Sequence, residues 1–158
     1  MIPVKKSKRT IKQIVVHCTA GWATETISEL IKSFRAIGWK NNGYHVVVDG
    51  NGESHLITPL DQVANGVAGH NSDSIHVSYM GGIMKRGKKI IAADTRTAKQ
   101  KAELINVLTL LKKLHPNAMI LGHRDLSPDL NHNGIIEPNE WVKQCPCFFA
   151  IPEYKNIK

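Results

Sequence analysis

Apolar positions along this chain follow two spacings, and the switches between them lay out a series of strands and helices. Residues 10–19, Thr-Ile-Lys-Gln-Ile-Val-Val-His-Cys-Thr, form a β-branched run that reads as a buried strand. On a pleat Val16 and Cys18 share one face and Val15 and His17 the other. Cys18 is therefore assigned to the core, and His17 points away from it. Ile27, Leu30, Ile31, Phe34 and Ile37 then repeat at helical spacing, with Gly38 as the stop. Tyr44–Asp49 reads as a strand that the turn Asp49-Gly50-Asn51-Gly52 folds back onto Glu53–Thr58 as a hairpin. A loop rich in Gly and Asn leads to a further strand, Ser74–Met80, closed by Gly81-Gly82 and a basic turn at Lys85–Lys89.

Thr97-Ala98-Lys99-Gln100 has the form of a capping box. The helix it opens carries Leu104, Val107, Leu108 and Leu111 as a core-facing stripe. Ala118-Met119-Ile120-Leu121 is the last strand, and it runs straight into Gly122-His123. With no internal repeat, low-complexity tract or linker, the 158 residues read as one domain spanning 1–158. The expected fold is α/β, a mixed central β-sheet flanked by helices.

Composition narrows the function without naming it. Hydrophobic residues make up 42% and charged residues 22%, ordinary for a globular protein. No apolar run approaches the roughly 20 residues of a membrane span. The basic N-terminus is followed by no apolar segment or small-residue cleavage site, so no export signal is expected. The formal charge of +8, with clusters at Lys5–Arg9, Lys85–Lys89 and Lys112–Lys113, suits a solvated surface or a polyanionic partner. Nucleic acid is disfavoured as that partner, because no helix-turn-helix, finger or aromatic-basic motif is present. An acidic bacterial wall remains.

The densest chemistry lies between Gly122 and Cys147. His123 stands at a strand end, where α/β folds build their sites. Cys145 and Cys147 flank one proline, a spacing better suited to metal or free thiols than to a disulfide framework. Between His123 and Cys145, residues 126–142 hold a twelve-residue run in the pattern of a calcium loop. Asp129, Asn131 and Asn133 stand at positions one, three and five and Gly134 at six. Ile135 offers its carbonyl at seven, Glu137 stands at nine and Glu140 at twelve. Calcium is thus a second expected ion, folding the insertion so that its far end returns to His123.

Several separated pieces match one family in order. They are Val16-His17-Cys18-Thr19-Ala20, Gly38-Trp39 with Gly43-Tyr44-His45, Gly69-His70-Asn71, Ser74-Ile75 with Gly81-Gly82, Gly122-His123-Arg124-Asp125 and Lys143-Gln144-Cys145-Pro146. Together they resemble the zinc-dependent N-acetylmuramoyl-L-alanine amidases, the type that includes phage lysozymes of amidase specificity and peptidoglycan recognition proteins. The resemblance spans about residues 12–148. It implies a zinc site on the sheet face with His17, His123 and Cys145 as ligands, leaving the fourth tetrahedral position for water. It further implies that Tyr44 and Lys143 stabilise the negative oxygen that develops as the amide is attacked. Lys143 and Cys145 stand two positions apart, so on a pleat both would point at the metal.

The resemblance also places His70 and Asn71 on the substrate side. His45 should face away from Tyr44 in a structural role, and His55, His76 and His115 are assigned no chemistry. Two departures stand out. The family often has glycine where this chain has His76, and residues 124–144 form a longer connection than in related phage enzymes. The implied activity is cleavage of the amide between N-acetylmuramic acid and L-alanine, with peptidoglycan or muropeptides as partner. The protein is expected to be a monomer, held in the cytoplasm until released to the wall. The rival reading is a module on the same fold that binds muropeptides without cutting them. Loss of the cysteine ligand would mark that case, and here the cysteine is present.

Overall fold

Every residue of β1 (Gln13–Cys18) except Gln13 is buried, and the sheet is built outward from it. The computed structural model describes residues 2–158. β2 (Val46–Val48), β4 (Ser74–Tyr79), β1 and β7 (Met119–Gly122) run parallel, and β3 (Ser54–Leu56) adds an antiparallel edge, in the order β3-β2-β4-β1-β7. Parallel strands covered on both faces need apolar residues on both. Val46-Val47-Val48 meets that demand: Val46 and Val48 enter one cluster and Val47 the other.

Helix α1 (Ile27–Ala36) covers one face. Its first turn is closed by a capping box between Thr26 and Glu29, and Leu30 and Phe34 pack against Val47 and Met80. Helix α2 (Ala98–Leu114) covers the other face with Leu104, Val107, Leu108 and Leu111. Each of these stabilises by roughly 1.5–3 kcal/mol when fully buried, an upper figure for a real unfolded chain. The capping box at Thr97 and Gln100 forms as expected, and Gln100 does more. Its Nε2 donates to the Met80 carbonyl at 2.9 Å, which pins the start of α2 to the end of β4.

Two elements differ from the sequence reading. The basic segment expected as a turn is a two-stranded antiparallel hairpin, β5 (Ile83–Arg86) and β6 (Lys89–Ala92), turning at Gly87 with φ +61°. Its charged residues face solvent on both sides, so no apolar alternation marked it. A short helix α3 (Ala150–Tyr154) closes the chain. It is tied back by Arg96, whose guanidinium bonds Asp94, Glu153 and Tyr154 and lies 3.2 Å over the Phe148 ring. Among the described residues no helix is long and apolar enough to cross a membrane.

Candidate functional site

Strand register alone brings two histidines together. Val16 pairs with Gly122 across β1 and β7, so the next residue of each strand, His17 and His123, emerges side by side at the sheet's end. His17 Nδ1 lies 3.2 Å from His123 Nδ1 and 3.7 Å from Cys145 Sγ. These three donor atoms all fall within 4.8 Å of one another. Burial pushes the His17 imidazole well below its ordinary pKa, helped by the neighbouring histidines, and burial followed by Lys143 brings His123 to about 4. Both rings are therefore neutral at pH 7, the state in which imidazole binds metal.

Cys145 reaches the histidines from an irregular segment, not a strand. The pleat argument for Lys143 and Cys145 fails, because the chain turns at 144–147 with the Cys147 amide bonded to the Gln144 carbonyl. Three contacts hold the turn. The Cys18 amide donates to Cys145 Sγ at 3.2 Å, the Arg124 amide donates to the Cys145 carbonyl at 3.0 Å, and the Tyr79 hydroxyl donates to the Pro146 carbonyl at 2.9 Å. Gly122 is required beneath it, since a Cβ there would press on the Pro146 ring. Arg124 adds a clamp the sequence did not reveal: its guanidinium sits between Trp141 and Phe149, 3.8 and 4.3 Å from the ring centres. Cys147 faces elsewhere, 3.9 Å from Cys18 Sγ and bonded to the Gly82 carbonyl. Its bond with Cys18 and burial raise its pKa, and Cys18 is pushed up to about 12, chiefly by its bond to Cys145.

Tyr44 lies against His17 with ring centres 5.1 Å apart, and its hydroxyl donates to the Cys18 carbonyl at 3.2 Å. Burial raises its pKa, so it remains a phenol with a proton to donate. Tyr44, Lys143, His123 and Cys145 line one groove, walled by Phe34 and by Trp39 stacked upon it. Of the two residues placed on the substrate side, Asn71 lines the adjoining part of the groove, and its Oδ1 is already taken by the Val67 amide. His70 lines neither part; its carbonyl accepts the Ser74 hydroxyl. Asn71 thus holds the loop, and the structure does not bring His70 to the groove.

His76 was assigned no chemistry, yet its Nδ1 stands 3.0 Å from His17 Nε2. The available signal was the polar face of β4, where Ser74, His76 and Ser78 alternate with Ile75, Val77 and Tyr79. His45 has the structural role expected: its Nδ1 accepts the His76 amide and its Nε2 donates to the Gln62 carbonyl. His115 accepts the Ser7 amide, and His55 pairs with Asp49 at 2.9 Å.

The calcium expectation finds no support. Asp129 accepts the Asn133 and Gly134 amides, and Asn133 Oδ1 accepts the Ile135 amide. Glu140 Oε1 accepts the Leu130 and Asn131 amides, and Oε2 that of Glu137. In this structure the oxygens that would ligate an ion accept the loop's own backbone amides. Among the described residues, the groups able to hold a metal are His17, His123 and Cys145, and a second set, Asp49, Glu53 and His55. In the second, Asp49 is committed to the hairpin turn, accepting the Asn51 and Glu53 amides.

Glu140 is instead the keystone of residues 126–142. The amide bonds, that of Glu137 first, hold its carboxyl below the usual range. A depressed folded pKa gives stability that is complete above the unfolded value, about 4.3, and is lost as pH falls through the folded one. Glu140→Gln is therefore expected to weaken the loop at neutral pH and to flatten the acid limb of a melting-temperature profile. Acid limbs of equal steepness in both proteins would remove Glu140 from this role.

An α/β fold with two histidines and a cysteine converging at the end of a parallel sheet defines a protein built around one metal-capable groove. The N-acetylmuramoyl-L-alanine amidase family model matches residues 7–146, and the chain belongs to that family. The endolysin of Klebsiella phage KP32 is 32% identical over 131 residues, covering 81% of this chain and 85% of that one. A protein of Haemophilus influenzae is 45% identical over 89 residues, 56% of this chain and 74% of its own. The endolysin N-acetylmuramoyl-L-alanine amidase LysCS of Clostridium intestinale shares the fold with a TM-score of 0.71 at 17% identity, covering 99% of this chain and 90% of that one. The chain is a peptidoglycan amidase by family.

Proposed function

We propose that the chain hydrolyses the amide joining the lactyl group of N-acetylmuramic acid to L-alanine, with zinc held by His17 Nδ1, His123 Nδ1 and Cys145 Sγ. The convergence of these three atoms beside a groove that His123 and Cys145 line with Tyr44 and Lys143 carries the reading. Two neutral imidazoles and a thiol are a donor set zinc accepts, and three protein ligands leave a position for water. When bound, zinc supplies a water of pKa near 7 in place of 15.7 and polarises the scissile carbonyl.

The chain's own residues do the rest. The Cys18 amide stabilises negative charge on Cys145 Sγ through its hydrogen bond. The Tyr44 hydroxyl turns from the Cys18 carbonyl to the oxygen that becomes negative, and the Lys143 ammonium, lining the same groove, meets the same charge. Phe34 and Trp39 give the groove an apolar side on which part of the substrate rests. The exposed Lys85, Arg86, Lys88 and Lys89 of the β5–β6 hairpin favour encounter with an anionic wall, an attraction that salt weakens. As a wall hydrolase resembling phage endolysins, the protein acts once it reaches the envelope. A module that only binds muropeptides would not need the cysteine donor and the phenol beside it.

Mass analysis of digested peptidoglycan tests the reading. The expected products are free peptides beginning with L-alanine and glycan chains lacking peptide, with release abolished by a chelator and restored by zinc. Muropeptides left with their peptides attached, or release that a chelator does not slow, would overturn it.

A further inference from the structure

The ring nitrogen of His17 that faces away from His123 and Cys145 has its own partner. His17 Nε2 lies 3.0 Å from His76 Nδ1, between two buried rings. The other nitrogen of that partner, His76 Nε2, is buried and has no hydrogen-bond partner. We propose that His76 is a positioning residue: it accepts the Nε2 proton of His17 and so holds the Nδ1 lone pair of His17 toward His123 and Cys145. The inference rests on the zinc reading of those three residues.

Counting protons leaves one arrangement that serves a metal. Two neutral imidazoles share the contact, so one donates and the other accepts. If His76 Nδ1 donated, the proton of His17 would sit on Nδ1, between His123 and Cys145, where no lone pair would remain for a ligand bond. If His17 Nε2 donates, Nδ1 is free and the proton of His76 must sit on Nε2. That places an N–H on the one atom of the pair that has no acceptor. Metal-bound histidines as a rule donate their second nitrogen to an acceptor behind them, which fixes both tautomer and ring orientation. Here the acceptor is another imidazole.

The position of His76 is itself held from two sides. Its amide donates to His45 Nδ1 at 2.9 Å, and His45 Nε2 donates to the Gln62 carbonyl at 2.9 Å, so His45 is locked in a single tautomer. The two rings stack with centres 5.8 Å apart and planes 19° from parallel. On the other flank lies Gly66, where any Cβ would overlap the His76 imidazole. Gly66 thus supplies space for the ring, not backbone freedom. His45, Gly66 and His76 come from separate segments and converge on one hydrogen bond.

Zinc affinity, measured by competition with a chromophoric chelator, tests the inference on the wild type, His76→Asn and His76→Leu. Asn and Leu have nearly the same shape, and only Asn offers an acceptor near the place of Nδ1. His76→Leu is expected to weaken zinc by about 10- to 100-fold, the range for loss of such a partner, while His76→Asn stays near the wild type. Equal affinity in all three proteins, or equal weakening in both variants, overturns the proposal while leaving the zinc reading standing. Failure of the wild type to bind zinc overturns the zinc reading and this inference with it. Nitrogen NMR of the zinc-loaded wild type tests the same point without a variant that could misfold. His17 and His76 are both expected to carry their protons on Nε2, and a proton on His76 Nδ1 would refute the assignment.

Discussion

With zinc held as proposed, Cys145→Ser is expected to purify without it and to release peptide from the wall more than about 10³-fold more slowly, because the water pKa that zinc would hold near 7 returns toward 15.7. Cys147→Ser is expected to keep both its zinc and most of its activity. The two thiols are two residues apart, yet the turn at 144–147 sends them to opposite sides. Cys145 Sγ lies 3.7 Å from His17 Nδ1 and receives the Cys18 amide, whereas Cys147 Sγ rests against Cys18 and the Gly82 carbonyl. Metal analysis and turnover on both variants read the difference directly. Zinc retained by Cys145→Ser and lost by Cys147→Ser would reverse the assignment.

The same turn shows what could be read from the sequence and what could not. Elements whose stability is local were plain: α2 announces itself by the Thr97–Gln100 box and a leucine stripe, and the face of β1 that carries His17 follows from alternation alone. His17, His123 and Cys145 were matched through the resemblance to the amidases; register explains why the two histidines meet, and the turn at 144–147 brings Cys145 to them. Lys143 was matched through the same resemblance, and the geometric reason beside it does not hold, since a pleat was assumed where the chain is irregular. His76 was missed because its partner lies 59 residues away and its sign was only a polar face on an otherwise apolar strand. The calcium pattern is without support for a different reason. Side chains that can ligate an ion can equally accept amide hydrogens, and spacing cannot tell which donor they meet. Asp129 and Glu140 meet backbone.

Tyr44→Phe and Lys143→Ala are each expected to lower turnover on the order of 10²-fold, the loss that follows removal of one donor to a developing oxyanion. The two substitutions reach the same charge by different routes. The phenol loses only its hydroxyl; the ring keeps its packing against His17 and Phe34, at 5.1 and 5.6 Å between centres, so zinc content and melting temperature should not change. Burial keeps that hydroxyl protonated, and in the resting protein its hydrogen is parked on the Cys18 carbonyl. Lys143 is exposed, and its removal takes away a cation rather than a hydrogen bond in the core. An interaction made only to charge that exists in the transition state lowers kcat and kcat/KM together, so the proposed roles predict that KM changes little. Salt should narrow the gap between wild type and Lys143→Ala and leave that of Tyr44→Phe alone, since screening acts on the exposed charge. Near-normal turnover in either variant, or a loss that appears wholly in KM, would strike that residue from the chemistry.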